Sequence, residues 1–326
     1  MKKILRLSTG FGPIESQTAL LCKPADDIES YYLFDGYPDP VDINFDKYEC
    51  IWVYTDERFP DQFPRTYEKL LESKVRKVNM GVARINNQFD MTNSWREAGF
   101  PVPEIYRMYL KGTLPESIDK PVMAKAIRSY TRNSYARVVR SMEDMEKWNF
   151  YKRYDYMLQE YKEDYAKPTE DNLYYCGQVY KTGNRIFERS LRWTNHWYVS
   201  PTNRGLPHLG LRCGSGAFDV MPGYKDIPDF WDQVAKIYES AGIEIGTLDF
   251  SITENKEIVP WGVCTLYLFY CEGIDGRQAG LSIPTPQEQI PIQVEYWNGI
   301  MEYIGSAYRT NETLVWRAIN AHNLNL

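Results

Sequence analysis

Short apolar runs alternate with a helical pattern near the start of this chain, and that alternation restricts the fold more than any other feature. KILRLS at residues 3–8 and CIWVYT at 50–55 are strand-like, and the second is apolar enough to be buried on both faces of a sheet. RTYEKLLESK at 65–74 carries a helical pattern, and KVRKVNM then leads into a further strand. Because this alternation is typical of α/β domains, we predict a small α/β domain at residues 1–82.

The overall composition narrows the class of protein. The chain has 326 residues, 43 % of them hydrophobic and 25 % charged, with a formal net charge of −6. Dedicated nucleic-acid-binding domains are usually basic, so nucleic acid is not an expected partner. No run approaches the roughly 18 apolar residues of a membrane span, and the first apolar stretch is too short for a signal peptide. We expect a soluble cytoplasmic protein of two or three lobes around one cleft, with no membrane partner.

The numbers and spacing of the cysteines, histidines and tyrosines indicate whether a zinc site or aromatic cleft walls are expected. Six cysteines are scattered without a Cys-x-x-Cys pair, and there are three histidines. Thiols spread in this way are usually reduced and buried, so a zinc site is not predicted. Tyrosine is frequent, with 26 residues, which indicates many half-buried positions or aromatic cleft walls.

Local signals divide the rest of the chain into helices and strands. QFDMTNSWREAG carries a helical pattern that stops at Gly99, before Pro101 and Pro103. Three further runs read as strands: EIYRMYL, PVMAKAI and YMLQEY. NLYYCGQVYKTGNRIFERSLRW predicts a hairpin with its turn at TGN. SMEDMEKWNFYKRYD and FWDQVAKIYESAG predict helices, and IGTLDFSI and EIVPWGVC predict strands paired around TENKE. The tail from Pro284 is interrupted by prolines, and helices are predicted at VEYWNGIMEYIGSAY and again near the C-terminus.

Four of these segments, in this order, resemble the ATP-grasp superfamily. They are WREAGFPVPEIY, VMAKA, MLQEY and AKIYESAGIEIGTLDFSITENKEIVPW, and the resemblance covers roughly residues 75–270. Within the superfamily the chain looks most similar to carboxylate–amine ligases of the D-alanine–D-alanine ligase, glutathione synthetase and ribosomal-protein glutamate ligase type. The resemblance implies an α/β, ATP-grasp-like fold, in which an N-terminal α/β lobe is followed by two α+β lobes enclosing a nucleotide cleft. The implied domains are 1–82, 83–158 (lobe A), 159–280 (lobe B) and a C-terminal helical tail at 281–326.

The resemblance also implies a reaction and a set of site residues. Enzymes of this type use ATP to join a carboxylate to an amine through an acyl phosphate, and their substrates are small molecules or peptides. The protein's task is to position the triphosphate and neutralise its charge. Lys125 is the implied phosphate-binding lysine, and Asp249 is the implied ligand of Mg²⁺, which prefers carboxylate oxygens. The residues implied for adenine binding are Gln159, Glu160 and Tyr161.

Four departures from the family pattern concern the phosphate and metal sites. Gln88 stands where a second phosphate-contacting lysine is common, and the lid segment SYTRNSYARVV contains no glycine. The middle hairpin has Cys176 and Gln178 where an acid and an arginine are usual. Gly262, Val263 and Cys264 replace a metal-binding glutamate-x-asparagine. Glycine has no side chain to coordinate with and cysteine is a soft ligand, so the ligands for Mg²⁺ are largely missing.

Arginines offer other positive charge for phosphates. The lid segment and the residue on each side of it, residues 128–140, carry four arginines, whose planar guanidinium groups can clamp phosphate oxygens: Arg128, Arg132, Arg137 and Arg140. An exposed basic loop is the alternative reading. Arg189 and Arg192, at the end of the hairpin, are the candidate catalytic residues, in contact with phosphate or substrate. His196 is either a general base or a surface residue.

Two functions stay open from the sequence. One is an ATP-dependent carboxylate–amine ligase with an altered phosphate site. The other is a catalytically inactive ATP-grasp-like binding or structural protein. The aromatic C-terminal segments near Trp297 and Trp316 also offer a surface for a second copy of the chain, so a homo-oligomer is open as well.

Overall fold

The fold is known from a computed structural model. The residues described are 3–9, 21, 26–34, 37–40, 42–55, 59–81, 88–127, 136–152, 154–166, 173–195, 210–264 and 286–324. Three of the residues singled out from the sequence lie outside these ranges, and with them most of the lid segment: Arg128, Arg132 and His196.

The N-terminal part forms a parallel sheet, as the alternating pattern predicts. Its strands are β1 (Ile4–Thr9), β2 (Ile28–Leu33), β3 (Cys50–Tyr54) and β4 (Arg76–Val78), in the order β2-β1-β3-β4. Helices α1 (Phe59–Gln62) and α2 (Pro64–Glu72) follow β3. Leu5, Leu7 and Ile51 pack with Phe59 and Leu70 of these helices, which covers one face of the sheet.

Helix α3 (Gln88–Glu97) leads into the second sheet. It ends at Gly99, whose φ of 89° lies in the left-handed region that glycine tolerates best, as the helix-stop signal predicts. Trp95 is fully buried, and its indole N–H donates to the Ile237 carbonyl at 3.1 Å, which ties α3 to a later helix.

The second sheet is antiparallel and is called the Lys125 sheet below. Its strands are β5 (Ile105–Tyr109), β6 (Val122–Ala126), β7 (Ala136–Val139) and β8 (Tyr156–Glu160), in the order β5-β8-β6-β7. One face packs Ala124 and Leu158 against Met145 of helix α4 (Met142–Trp148). Because side chains alternate along a strand, Lys125 and Gln159 lie on the other face.

The third sheet is antiparallel and is called the Asp249 sheet below. Its strands are β9 (Tyr174–Thr182), β10 (Arg185–Thr194), β11 (Gly210–Cys213), β12 (Ile245–Ile252) and β13 (Ile258–Cys264), in the order β11-β10-β9-β12-β13. Helix α5 (Phe230–Ser240) and α3 cover one face, where Val179, Leu248 and Phe250 are buried. Both predicted hairpins, β9–β10 and β12–β13, are confirmed.

The C-terminal helices α6 (Pro286–Ile304) and α7 (Glu312–Leu324) cover the remaining face of the N-terminal sheet. Trp297 is fully buried in this core, and its ring centroid lies 6.2 Å from that of Trp52. The prediction that Trp297 offers a surface to a second chain is therefore wrong, because this side chain fills the protein's own core. Trp316 is 38 % exposed.

Two element boundaries differ from the sequence prediction. α4 ends at Trp148, earlier than predicted, because Asn149 adopts a left-handed conformation with φ 55°. α6 begins at Pro286 and continues through Pro291. In the part of the chain that the structure describes, no helix is long and apolar enough to cross a membrane.

Candidate functional site

The Lys125 sheet and the Asp249 sheet are joined by a direct contact, and the region between them is called the crevice below. Lys125, on β6, reaches β13 of the opposite sheet, and its Nζ donates to the main-chain carbonyl of Trp261 at 2.8 Å. Burial lowers the pKa of Lys125 to about 8, although the Asp249 carboxylate favours the charged form. The structure therefore brings together two side chains that lie far apart in the sequence.

Asp249 lies on the face of its sheet that is turned away from the helical core. Its partners across the sheet are Gln178 on β9 and Gly262 on β13. Asp249 Oδ1 accepts a hydrogen bond from Gln178 Nε2. The glutamine amide thus holds one carboxylate oxygen in a fixed position.

A polar network continues from Gln178 into β10. Gln178 Oε1 accepts hydrogen bonds from Ser190 Oγ at 2.8 Å and from Arg192 Nη2 at 3.0 Å. Gln178 and Arg192 are 3 % and 2 % exposed. Burial, followed by the charge of Arg189, lowers the pKa of Arg192. Neutral Gln178 therefore joins a buried cation to the Asp249 carboxylate.

Arg189 occupies an irregular position on β10. Glu188 pairs with Val179 and Ser190 pairs with Gln178, so Arg189 is the extra residue of a β-bulge. Its guanidinium carbon lies 5.2 Å from the ring centroid of Tyr180, a cation–π distance. The bulge turns Arg189 to the same side as Tyr180, and the two candidate catalytic arginines are close enough for their charges to interact.

Two of the family departures meet at one place. A Cβ built on Gly262 would lie 3.8 Å from both terminal atoms of the Gln88 amide. Gln88 is the first residue of α3, is 5 % exposed, and is fixed by its backbone N–H, which donates to the Ile127 carbonyl at 2.9 Å. A neutral amide and a glycine therefore stand next to Asp249 where the family places a lysine and a glutamate.

These side chains do not fit a Mg²⁺ site of the family's kind. Gly262, directly opposite Asp249, has no oxygen ligand, and the Cys264 thiol is a soft donor. Cys176 is buried, which raises the pKa of its thiol and keeps it neutral. No group of three or more histidine, cysteine or acidic side chains suited to a metal ion occurs among the described residues.

The residues predicted to hold adenine lie at the end of β8. Gln159 is 2 % exposed, and its Oε1 has no hydrogen-bond partner. The Glu160 backbone N–H donates to the Glu104 carbonyl at 2.7 Å, and its side chain pairs with Lys162 at 3.4 Å. The Glu160 backbone N–H is therefore used within the protein.

The turn just beyond this strand, Glu163–Ala166, makes a second contact with the Asp249 sheet, which was missed in the sequence. Ser251 Oγ donates to the Tyr165 carbonyl and accepts from Trp261 Nε1 at 2.7 Å. The rings of Tyr165 and Trp261 have centroids 6.3 Å apart. Trp261 is partly exposed, and its ring lies against Tyr165. The only signal for this in the sequence was its place next to Gly262.

The remaining candidates lie apart from this network. Arg137 pairs with Ala124, whereas Ala136 pairs with Lys125. Cross-strand neighbours share a face, so Arg137 lies on the opposite face from Lys125 and the hypothesis that it clamps phosphate there is wrong. Arg140 is exposed.

Comparison with known proteins places this geometry in a known fold. No protein family profile matches the chain, and no curated protein matches its sequence. Solved structures do match. The D-alanine–D-alanine ligase from Coxiella burnetii superposes with a TM-score of 0.56 at 11% identity, covering 100% of this chain and 97% of that one.

Two further structures match over most of their length. The N5-carboxyaminoimidazole synthetase from Staphylococcus aureus, complexed with ADP, gives a TM-score of 0.54 at 12% identity, with 95% of this chain and 80% of that chain covered. A RimK domain ATP-grasp protein from Sphaerobacter thermophilus gives 0.51 at 10% identity, with 93% and 100% covered.

The chain therefore has the ATP-grasp fold, and the predicted fold class is confirmed. Identities this low establish the fold alone, and function has to be argued from the site. In this chain Lys125 lies on one wall of the crevice and the Asp249–Gln178–Arg192 network on the other.

Proposed function

We propose that the crevice binds ATP and that the protein is an ATP-dependent carboxylate–amine ligase. The observation that carries the proposal is Lys125, whose ammonium group spans the crevice to Trp261 on the strand beside Asp249. An ammonium held between two sheets is a fixed positive charge, which is what a triphosphate bound there requires. The ADP bound to the Staphylococcus aureus structure of the same fold supports a nucleotide as the ligand.

The residues have separate parts in this proposal. Lys125 contacts phosphate oxygens, together with Arg128, just before the lid segment, and Arg132 within it. The purine lies by Gln159, Glu160 and Tyr161, with the partly exposed Trp261 ring as an apolar wall. Arg189 and Arg192, held by the bulge and by Gln178, orient the transferred phosphoryl group or the acid substrate.

ATP supplies the driving chemistry. Its γ-phosphoryl group passes to a carboxylate oxygen as ADP leaves, and the amine then attacks the acyl carbon, giving an amide and phosphate that takes up the released proton. The chain's own residues position the reactants and screen negative charge. The substrates are a carboxylic acid and an amine, from small molecules or peptides.

Nucleotide binding without ligation is the second candidate, and one observation favours it. Asp249 has no acidic partner on the facing strand, because Gly262 stands there, and its Oδ1 accepts from Gln178. A protein that keeps the phosphate lysine without those carboxylates suits binding better than turnover. Asp249 is the residue that would hold any metal ion in either case.

Binding is tested by thermal unfolding with ATP. A ligand of the folded state raises the melting temperature, and at a hundred times Kd the gain is about 2.7 kcal/mol. We expect a rise with millimolar ATP, lost in Lys125→Met and kept in the exposed-lysine control Lys111→Met. The absence of a shift in the wild-type protein at millimolar ATP would reject both candidates.

Ligation is tested by trapping. The protein is incubated with ATP, hydroxylamine and a mixture of amino acids, because hydroxylamine converts an acyl phosphate to a hydroxamate. Hydroxamate and ADP formed together support the ligase. ATP binding with neither product in this mixture, nor in one of dicarboxylic acids, supports binding without ligation.

A further inference from the structure

The wall opposite Lys125 has an unusual charge balance. Asp249 is held by the Gln178 amide, its cross-strand partner is Gly262, and the nearest group to that glycine's missing side chain is the Gln88 amide at 3.8 Å. This wall presents one carboxylate, two neutral amides and the Arg192 guanidinium, which Gln178 joins to Asp249. A divalent ion needs several oxygen ligands and strong negative charge to repay its dehydration, and this wall provides little of either.

Lys125 supplies a positive charge to the crevice from the opposite sheet. Lys125 Nζ donates to the Trp261 carbonyl at 2.8 Å, one residue from Gly262, and lies close enough to Asp249 to interact with its charge. An ammonium group has three donors, so two remain for other acceptors in the crevice. Lys125 is thus placed to bridge β13 and a ligand's phosphate oxygens.

We propose that this site binds its nucleotide without needing a bound divalent cation, with the Lys125 ammonium in the place of that cation. The inference rests on the nucleotide-binding function proposed above and specifies that the metal is not required for binding. Neutral groups at positions 88 and 262 fit this role, because a carboxylate at 262 would repel unscreened phosphates. The buried Gln88 Oε1 has no hydrogen-bond donor and leaves an acceptor for a ligand hydroxyl or a water.

Calorimetric titration of the wild-type protein with ATP tests the proposal, once in EDTA and once in excess Mg²⁺ at equal ionic strength. We expect the two Kd values to agree within about threefold, since no site charge depends on the metal. ATP affinity that falls more than tenfold in EDTA would overturn the inference and leave the nucleotide-binding function standing. Binding in neither condition would reject that function and the inference with it.

Two variants at position 262 test the same proposal by adding a side chain with or without negative charge. Gly262→Glu adds a carboxylate beside Asp249, and Gly262→Gln adds a side chain of the same size without charge. A Cβ at position 262 would have no neighbouring atom closer than 3.8 Å, so the first carbon of either side chain fits without a clash. In Gly262→Glu we expect ATP affinity in EDTA to be at least about tenfold weaker than in Mg²⁺, because the new charge repels phosphate unless a metal screens it.

The control keeps the metal effect separate from the effect of size. In Gly262→Gln the ratio of the two Kd values should stay near that of the wild type, whatever the change in affinity itself. A ratio equal in the two variants would contradict the proposal. Melting curves of each variant check that it is folded, and the wild-type titration decides the matter if one of them is not.

Discussion

At the scale of single residues, Gln178 joins three other side chains on the Asp249 wall of the crevice. Its amide donates to Asp249 and its carbonyl oxygen accepts from Ser190 and Arg192. A neutral side chain that satisfies a carboxylate and a guanidinium together avoids leaving either charge unpartnered in a buried position. Gln178 therefore fixes the geometry of the Asp249 wall.

Lys125 gives the residue-scale prediction, a loss of ATP affinity at alkaline pH. Burial lowers the pKa of Lys125 to about 8, so the ammonium group is present at pH 7 and largely lost at pH 9.5. Removing a charged contact to phosphate costs about 1.5–3 kcal/mol, roughly a tenfold or greater weakening. ATP dissociation constants measured between pH 7 and pH 9.5 should rise accordingly, with the midpoint at or above the pKa because bound phosphate favours the charged form.

Lys125→Arg is the matched control for this pH dependence. Arginine stays charged throughout the range, so its binding curve should be flat wherever it binds ATP. The same slope in both proteins would show that another group titrates, and the assignment to Lys125 would fail.

At the scale of secondary structure, the close approach of β9 and β12 depends on Gly177. Gly177 pairs with Phe250, and a Cβ there would lie 2.3 Å from the ring of that phenylalanine. Gly177→Ala should lower the free energy of unfolding by about 1–3 kcal/mol, since the ring is fully buried and has to move. Urea unfolding measures this difference.

Gly262→Ala is the comparison in the same sheet. Nothing lies closer than 3.8 Å to its built Cβ, so we expect a change within about 0.5 kcal/mol. Equal effects of the two alanines would mean that the Phe250 ring does not restrict position 177.

Helices, strands and turns could be predicted from the sequence where they depend on residues that are adjacent in the chain. The helix stop at Gly99, the turn at TGN and the strand VMAKA each depend on residues adjacent in sequence, and each is confirmed. The face of Arg137 was not predictable, because it depends on which residue of β6 lies opposite. The same holds for the Gln178–Asp249 bond, which joins positions 71 residues apart.

At the scale of the whole molecule, a small cluster of hydrogen bonds around Glu244 joins three parts of the chain. Asn79, just after β4, accepts at Oδ1 from the backbone N–H groups of Glu244 and Ile245, at 3.2 and 3.1 Å. Glu244 in turn accepts from the Tyr303 hydroxyl at 2.6 Å. The N-terminal sheet, the start of β12 and helix α6 thus meet at Glu244.

Asn79→Ala should weaken this junction strongly. Two backbone donors at the start of β12 would lose their acceptor in a buried position, at about 1–3 kcal/mol each. Asn149→Ala is a matched control, because both asparagines have positive φ, of 70° and 55°, whereas Asn149 is an exposed helix cap. Asn149→Ala should lower the free energy of unfolding by only about 1 kcal/mol, because alanine is less stable than asparagine in the left-handed backbone conformation.

Unfolding free energies from urea titration give both values. Equal losses would show that the Asn79 junction adds nothing to stability. A larger loss in Asn79→Ala would show that this junction holds the N-terminal sheet and α6 against the Asp249 sheet. The junction would then also help to fix the position of Asp249 relative to Lys125.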